Sequence, residues 1–145
     1  MAIGVVLLAS CGNVDVQTDS FATMAEARER RAVERGWVPA FLPEGAYEIR
    51  AAYDTSSTRR WGILNFRAAD ADAIRRALDP AETSVDGLRV DIPGRIEWWP
   101  IALRNALDPE AIAATGLRTY RSTTGDFLVA VNWNQGRAYF WRVVE

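Results

Sequence analysis

The chemistry open to this chain is narrowed first by the residue types that it lacks. Among 145 residues there is no His and no Lys, all 17 basic residues are Arg, and the single Cys is Cys11. A Ser–His–Asp or Cys–His nucleophile, a His-ligated metal site, a phosphate-binding Lys and a Schiff-base Lys are therefore excluded within the chain. Acid–base catalysis is left to carboxylates, and a disulfide within the chain cannot form.

Paired carboxylates are the remaining route to hydrolysis. Glu97 stands beside Trp98 and Trp99, and Asp126 or Asp54 is a candidate partner for it. Nothing in the sequence fixes the separation of such a pair. One hypothesis for this chain is therefore a carboxylate-dependent hydrolase that acts on an envelope glycan. It is the alternative to a non-enzymatic binding or structural role.

Aromatic side chains offer ligand contacts of another kind. The six Trp and four Tyr residues provide flat apolar faces on which a sugar ring can stack, with Arg or Asn to bind its hydroxyl groups. The candidate ligand-binding residues are Trp133, Trp98 and Trp99, and Trp133 comes first because it lies in a polar turn between two Asn residues. We expect the other tryptophans, with one member of the Trp98–Trp99 pair, to fill the core.

No cofactor, metal site or nucleic-acid partner is expected. Asp70, Asp72 and Asp54 fit helix capping and turn bonding better than Ca²⁺ binding. The chain contains no GxGxxG, GxSxG or EF-hand loop. Its net charge of −2 supplies no basic field for a nucleic acid.

The position of Cys11 is the most informative feature of the N-terminal region. Residues 2–9 form an uncharged apolar run, far shorter than the ~20 residues that span a bilayer but suited to the hydrophobic region of a signal peptide. Leu8-Ala9-Ser10-Cys11 then resembles the bacterial lipobox, in which the Cys is lipidated. No basic residue precedes the run, so a start further upstream and a buried first strand are the alternatives.

These features predict a bacterial lipoprotein held on the extracytoplasmic side of a membrane, in the periplasm or at the cell surface. Residues 1–10 would be the signal peptide, and residues 11–20 the lipidated Cys, carrying palmitate or a similar chain, with its tether. Residues 21–145 would form a single domain. Two or more acyl chains on Cys11 anchor a protein stably.

The folded part is predicted to be α+β, with an antiparallel sheet of four to six strands and two to three short helices. Thr23 and Glu26 have capping-box spacing and open a surface helix that Gly36 ends. Further helices are predicted over residues 69–78 and from Asp108 to Gly116. Strands are predicted over residues 49–53, 61–66 and 88–92, and a C-terminal three-strand meander over residues 117–121, 127–131 and 137–144.

Residues 36–49 carry a Gly-Trp-x-Pro, Leu-Pro and Ile pattern, followed by Tyr53-Asp54 and Trp61-Gly62. This pattern resembles small bacterial lipoproteins of the YbbD-head-like type. Later segments look like the C-terminal half of the same group, so the resemblance covers most of the chain from about residue 20: Trp98-Trp99-Pro100, Leu107-Asp108-Pro109, Tyr120-Arg121 and residues 138–142. The resemblance implies no assigned activity, so no functional residue follows from it. The combined hypothesis is a lipid-anchored cell-envelope protein that acts as a non-enzymatic binding or structural module, with an envelope protein or a glycan as its partner.

Overall fold

A computed structural model describes residues 16–93 and 95–142 of the chain. The predicted signal peptide, Cys11 and the first part of the predicted tether lie outside these residues. The strands are β1 (Val16–Thr23), β2 (Tyr47–Asp54), β3 (Arg60–Asn65), β4 (Arg89–Val90), β5 (Asn105–Ala106), β6 (Arg118–Arg121), β7 (Phe127–Asn132) and β8 (Arg137–Arg142). The helices are α1 (Met24–Glu29), α2 (Ala71–Ala77) and α3 (Pro109–Ala114).

The main sheet has six antiparallel strands in the order β1-β2-β3-β8-β7-β6, and β4 pairs with β5 in a separate short ribbon. The predicted α+β class and the C-terminal meander of β6, β7 and β8 are confirmed. Each half of the sheet is a three-strand meander, and β3 and β8 join the halves at the centre. Within the described residues no helix has the length and apolar character needed to cross a bilayer.

The sheet begins earlier in the chain than the sequence suggested. Residues 16–20, which we predicted to be part of a tether, belong to β1 and pair with β2 from Val16↔Asp54 onward. Val16 and Phe21 are buried on opposite faces of the sheet, while most of the residues between them are polar and exposed. A polar edge strand of this kind lacks the apolar alternation that marks a strand in a sequence.

The first helix is shorter than predicted. Thr23 accepts a hydrogen bond from the backbone N–H of Glu26 at 3.1 Å, and Glu26 accepts from the N–H of Ala22 at 2.7 Å, so the expected capping box is present. The helix ends at Glu29, and Arg31 adopts the left-handed conformation with φ of 63°. The chain up to Gly36 continues in turns rather than as helix.

Two hydrophobic cores lie on the two faces of the sheet. On one face, which we call the helical face, α1, α2 and the turns of residues 32–42 pack on a core that includes Phe21, Ile49, Leu64 and Phe140. On the opposite face, which we call the loop face, residues 85–117 pack on a core that includes Trp61, Trp99, Leu128 and Trp141. Burial of these large side chains on both faces is the main stabilising term of the fold.

Gly62 fixes the contact between the two halves of the sheet. A Cβ atom at Gly62 would lie 1.9 Å from Cζ of Phe140, its cross-strand partner on β8. The absence of a side chain therefore lets the Phe140 ring lie directly over β3. The same register brings Ile63 beside Tyr139 and Asn65 beside Arg137.

The outer edges of the sheet are occupied by other groups. Beyond β6, Thr83 donates from its N–H to the carbonyl of Thr119 at 2.8 Å. Along β1, the carbonyl of Val16 accepts from Arg95 at 3.1 Å and that of Ser20 accepts from Arg30 at 3.1 Å. Guanidinium groups on an edge strand hinder the addition of a further strand.

Candidate functional site

The loop face is covered unevenly, and a cleft of about 690 Å³ lies over β1, β2, β3 and β8. This volume is within the range of ~300–1,000 Å³ typical of small-molecule sites. The residues that line it include Arg50, Ile63, Asn65, Trp98, Arg137 and Tyr139. We call it the loop-face cleft.

The floor of the loop-face cleft is one row of residues across four strands. Ser20 on β1 pairs with Arg50 on β2, Arg50 pairs with Ile63 on β3, and Ile63 pairs with Tyr139 on β8. Cross-strand partners project from the same face of a sheet. The register alone therefore brings together side chains that are far apart in the sequence.

Two guanidinium groups line the loop-face cleft, those of Arg50 and Arg137. Nε of Arg137 donates to Oδ1 of Asn65 at 3.2 Å, which orients the guanidinium and leaves it exposed. Arg50 is also exposed, and within residues 16–93 and 95–142 it makes no ion pair or side-chain hydrogen bond. Both groups can therefore bind a carboxylate from solvent.

Two carboxylates also line the cleft, but they differ in what else they bind. Glu26 accepts a hydrogen bond from the N–H of Ala22, and its carboxylate lies 3.7 Å from the guanidinium of Arg30. It is therefore engaged in the α1 capping box. Glu48 is exposed and has a left-handed backbone with φ of 47°, at the point where the β2–β3 register shifts. Glu48 is the acid that is available as an acceptor for ligand hydroxyl groups.

The rings of Trp98 and Tyr139 also line the cleft, and the buried ring of Trp99 packs against both of them. The Trp99 ring makes edge contacts with Trp98 at 6.2 Å and with Tyr139 at 5.8 Å between centroids. Its Nε1 donates to the carbonyl of Leu103 at 2.7 Å. Trp99 is 1% exposed and has no free face for a ligand, so of the predicted pair only the half-buried Trp98 lines the cleft.

Trp133 lies elsewhere, in the turn between β7 and β8. Its Nε1 donates to the hydroxyl of Tyr120 at 3.1 Å, and the guanidinium carbon of Arg75 lies 3.8 Å from the ring centroid. The ring also packs at its edge against Phe66. Trp133 thus belongs to the rim of the helical-face core, and it does not line the loop-face cleft.

The candidate acid pair is not assembled at this cleft. Glu97 is exposed in the turn before Trp98, and it does not line the cleft. Asp126 lies in the β6–β7 turn, where its Oδ1 accepts from the hydroxyls of Ser122 and Thr124. Of residues 16–93 and 95–142, no three His, Cys, Asp or Glu side chains form a group suited to a metal ion.

Four residues that line the loop-face cleft were missed by sequence reasoning: Arg50, Asn65, Arg137 and Tyr139. Each lies in or next to a recognisable strand, but no local motif connects them. Only the pairing of β2, β3 and β8 places them together, and the register of a sheet is not readable from single strands. A correct strand order and register would have placed all four residues in one region, with Asn65 directly opposite Arg137.

The first half of the sheet, with α1 and the Trp-Pro-rich turns after it, is the part that is comparable to a known family. Residues 15–65 match the family model of the YbbD head domain. The resemblance drawn from residues 36–49 is thereby confirmed, whereas the segments from Trp98 to Arg142 that were assigned to the same group lie outside the match. No activity comes with the match. No curated protein and no solved structure matches the chain.

The YbbD head domain match covers β1, α1, β2 and β3. It therefore supplies Ser20, Arg50 and Ile63 of the cleft floor, whereas Tyr139 and Trp98 come from outside the matched segment. The match points to an envelope-associated protein.

Proposed function

We propose that this protein is a lipid-anchored envelope protein that binds an acidic glycan in the loop-face cleft without catalysing a reaction. The observation that supports the proposal is the combination of two exposed guanidinium groups, Arg50 and Arg137, with the rings of Trp98 and Tyr139 around one cleft.

The chemistry of the cleft suits a sugar that carries a carboxylate. A guanidinium group donates two parallel hydrogen bonds to a carboxylate, and this pairing is stronger than a neutral hydrogen bond. Trp98 and Tyr139 offer apolar ring surface for the face of a pyranose. Asn65 and Glu48 supply polar atoms for hydroxyl groups. The sugars of bacterial cell-wall peptidoglycan include an acidic one, so its fragments are the natural probes.

The direction of β1 is compatible with an anchor at Cys11. The described chain enters the sheet at Val16, and the cleft floor begins at Ser20, about 13 Å further along the strand. The five-residue step from Cys11 to Val16 spans at most ~17 Å when extended. A lipid on Cys11 would thus hold the Val16 end of the sheet toward the membrane and leave the cleft on the distal half.

Calorimetric titration of the full chain carrying Cys11→Ser tests the binding proposal. The probes are a disaccharide fragment of peptidoglycan that carries a carboxylate and a neutral chitin disaccharide of the same length. We expect the acidic fragment to bind more tightly, and the Arg50→Ala/Arg137→Ala double variant to lose at least about tenfold in affinity, the size of a charge-assisted hydrogen bond. Trp98→Ala should also weaken binding.

The matched controls are Trp133→Ala and Arg118→Ala, because neither residue lines the cleft. Equal affinity for the neutral disaccharide, or an equal loss in the controls, would contradict the proposal. Reaction products are followed in the same samples. Release of product that is abolished by Glu97→Gln would establish the hydrolase alternative instead.

The anchor is tested separately, by growing cells that express the chain with radiolabelled palmitate. Label should enter the wild-type protein and be absent from Cys11→Ser protein. Label that persists in the variant would refute lipidation at Cys11.

A further inference from the structure

A second site lies on the helical face, at the end of the sheet where β1 begins. There Trp37 stacks on Tyr53, with ring centroids 3.7 Å apart and an angle of 5° between the planes. The guanidinium carbon of Arg35 lies 4.9 Å from the centroid of the Trp37 ring. This stack is the platform around which further basic residues are arranged.

Arg60 and Arg142 reach the same platform from the sheet. Arg60 on β3 pairs with Tyr53 on β2. Trp61 pairs with Trp141, so Arg60 and Arg142 lie opposite each other one residue nearer the sheet end. Arg142 also lies close to Gly36, the residue before Trp37: its Nη1 is 4.0 Å from the position that a Cβ atom on Gly36 would occupy. We call Arg35, Arg60 and Arg142 the arginine cluster.

The positive charges of the arginine cluster are not balanced by ion pairs. Within residues 16–93 and 95–142, none of its three members lies within ion-pair distance of a carboxylate. The nearby Asp54 accepts hydrogen bonds from the N–H and hydroxyl of Ser56 and from the hydroxyl of Ser57. The nearby Asp19 binds Arg30 and the hydroxyl of Tyr53. These acids are therefore engaged with other groups.

Arg60 is the most constrained member of the arginine cluster, and the carboxylate whose charge acts on it is that of Asp54. Its Nη1 donates to the backbone carbonyls of Asp54, Ser57 and Arg59, at 3.2, 3.1 and 2.7 Å. Its Nε is buried and has no hydrogen-bond partner within the described chain. Burial, and then the charge of Arg142, lower the pKa of Arg60. Adjacent like charges on Arg60 and Arg142 cost free energy, and a bound anion would relieve that cost.

We propose that the arginine cluster binds a phosphate group. Guanidinium groups match phosphate oxygens with pairs of parallel hydrogen bonds. The three members of the arginine cluster lie around one aromatic stack. The phosphate can belong to the headgroup of an anionic lipid or to a soluble molecule. Of these two alternatives, only the lipid headgroup depends on the anchoring proposed above, because it requires the Val16 end of the sheet to face a membrane.

The test uses the full chain carrying Cys11→Ser, so that an attached lipid does not contribute. Inorganic phosphate is titrated by calorimetry. Vesicles of phosphatidylglycerol and phosphatidylcholine, and vesicles of phosphatidylcholine alone, are used for co-sedimentation. The test variant is Arg35→Gln/Arg142→Gln, which leaves the turn contacts of Arg60 in place. Its matched control is Arg67→Gln/Arg118→Gln, which removes the same charge at the opposite end of the sheet.

We expect phosphate to bind at one site, with affinity at least about tenfold lower in the test variant and within about twofold in the control. If the phosphate belongs to a lipid headgroup, the chain co-sediments with the anionic vesicles only, and inorganic phosphate competes with them. If the source is soluble, phosphate binds and neither vesicle does. The proposal is overturned if neither phosphate nor anionic vesicles bind, or if both variants lose binding equally.

The two proposals fail separately. Arg35→Gln/Arg142→Gln should bind the acidic disaccharide as the parent chain does, since neither residue lines the loop-face cleft. Loss of glycan binding in that variant would show that the two sites are one, and would overturn the assignment of phosphate to a separate cluster.

Discussion

Replacing Gly62 by Ala should strain the centre of the sheet. The new Cβ would lie 1.9 Å from Cζ of Phe140 and 2.4 Å from each Cε, whereas ordinary contacts begin near 3.4 Å. The ring would thus have to move by roughly 1.5 Å, but Phe140 is 0% exposed and packs at its edge against Phe127. Overpacking costs about 1–3 kcal/mol, and for an enclosed ring we expect a loss of about 3 kcal/mol in the free energy of unfolding.

A second substitution identifies the cause of that loss. Leu at position 140 lacks the ring atoms that meet the new Cβ, so Phe140→Leu should relieve the clash. Alone, it should lower the free energy of unfolding by about 1–2 kcal/mol. In its presence, Gly62→Ala should cost less than about 1 kcal/mol, which gives a coupling of about 2 kcal/mol between the two positions.

Urea titration followed by tryptophan fluorescence measures all four chains, provided that the slope of the transition is unchanged. A Gly62→Ala variant within about 0.5 kcal/mol of wild type, or a double variant whose loss equals the sum of the single losses, would refute the reasoning. The result also concerns the loop-face cleft, because the β3–β8 register that places Ile63 beside Tyr139 is the one that Gly62 and Phe140 fix.

Three further substitutions test other parts of the structure. Thr23→Ala removes the α1 cap and should lower the free energy of unfolding by about 1 kcal/mol in urea titrations, with Thr18→Ala on the same strand as an unaffected control. Hydrogen bonds from the N–H and hydroxyl of Ser56 and from the hydroxyl of Ser57 lower the pKa of Asp54 in the folded state. The ionised Asp54 therefore stabilises the fold fully above its unfolded-state pKa, near 3.9, and this stabilisation is lost as the pH falls through its folded-state pKa. Asp54→Asn should therefore flatten the decline of stability between about pH 5 and pH 2, and an unchanged decline would contradict this. Trp133→Ala should lower the melting temperature, through loss of the Tyr120 and Arg75 contacts, while glycan affinity stays unchanged.

Elements with strong local signals were predicted well. The Asp108 cap, with Pro109 at the first helical position, defines α3 as expected, and Asp108 accepts from the N–H of Glu110 at 3.0 Å. The turns between β6, β7 and β8 were marked by Gly125 and Gly136, both of which have positive φ. In each case a residue type with a specific backbone preference determines the structure locally.

Elements that depend on distant partners were not predicted. β1 is polar on most of its exposed positions and is held in the sheet by its pairing with β2, together with contacts from Arg30 and Arg95. The loop-face cleft depends on which strands are neighbours, and the order that sets β3 against β8 leaves no trace in either strand alone. Trp133 was interpreted from its polar neighbours along the chain, whereas its actual neighbours are Phe66, Tyr120 and Arg75.

The end of the YbbD head domain match has a consequence for how this chain is assembled. The match stops at Asn65, the last residue of β3, and β3 pairs along its length with β8. The family boundary thus cuts through the middle of the hydrogen-bonded sheet, and residues 15–65 by themselves would present β3 as an open edge. During synthesis β2 is available to pair with β3 at once, whereas the second partner of β3, β8, comes last in the described chain. Residues 15–65 thus do not complete the six-stranded sheet by themselves, and the part of the loop-face cleft over β3 and β8 forms only when these two strands have paired.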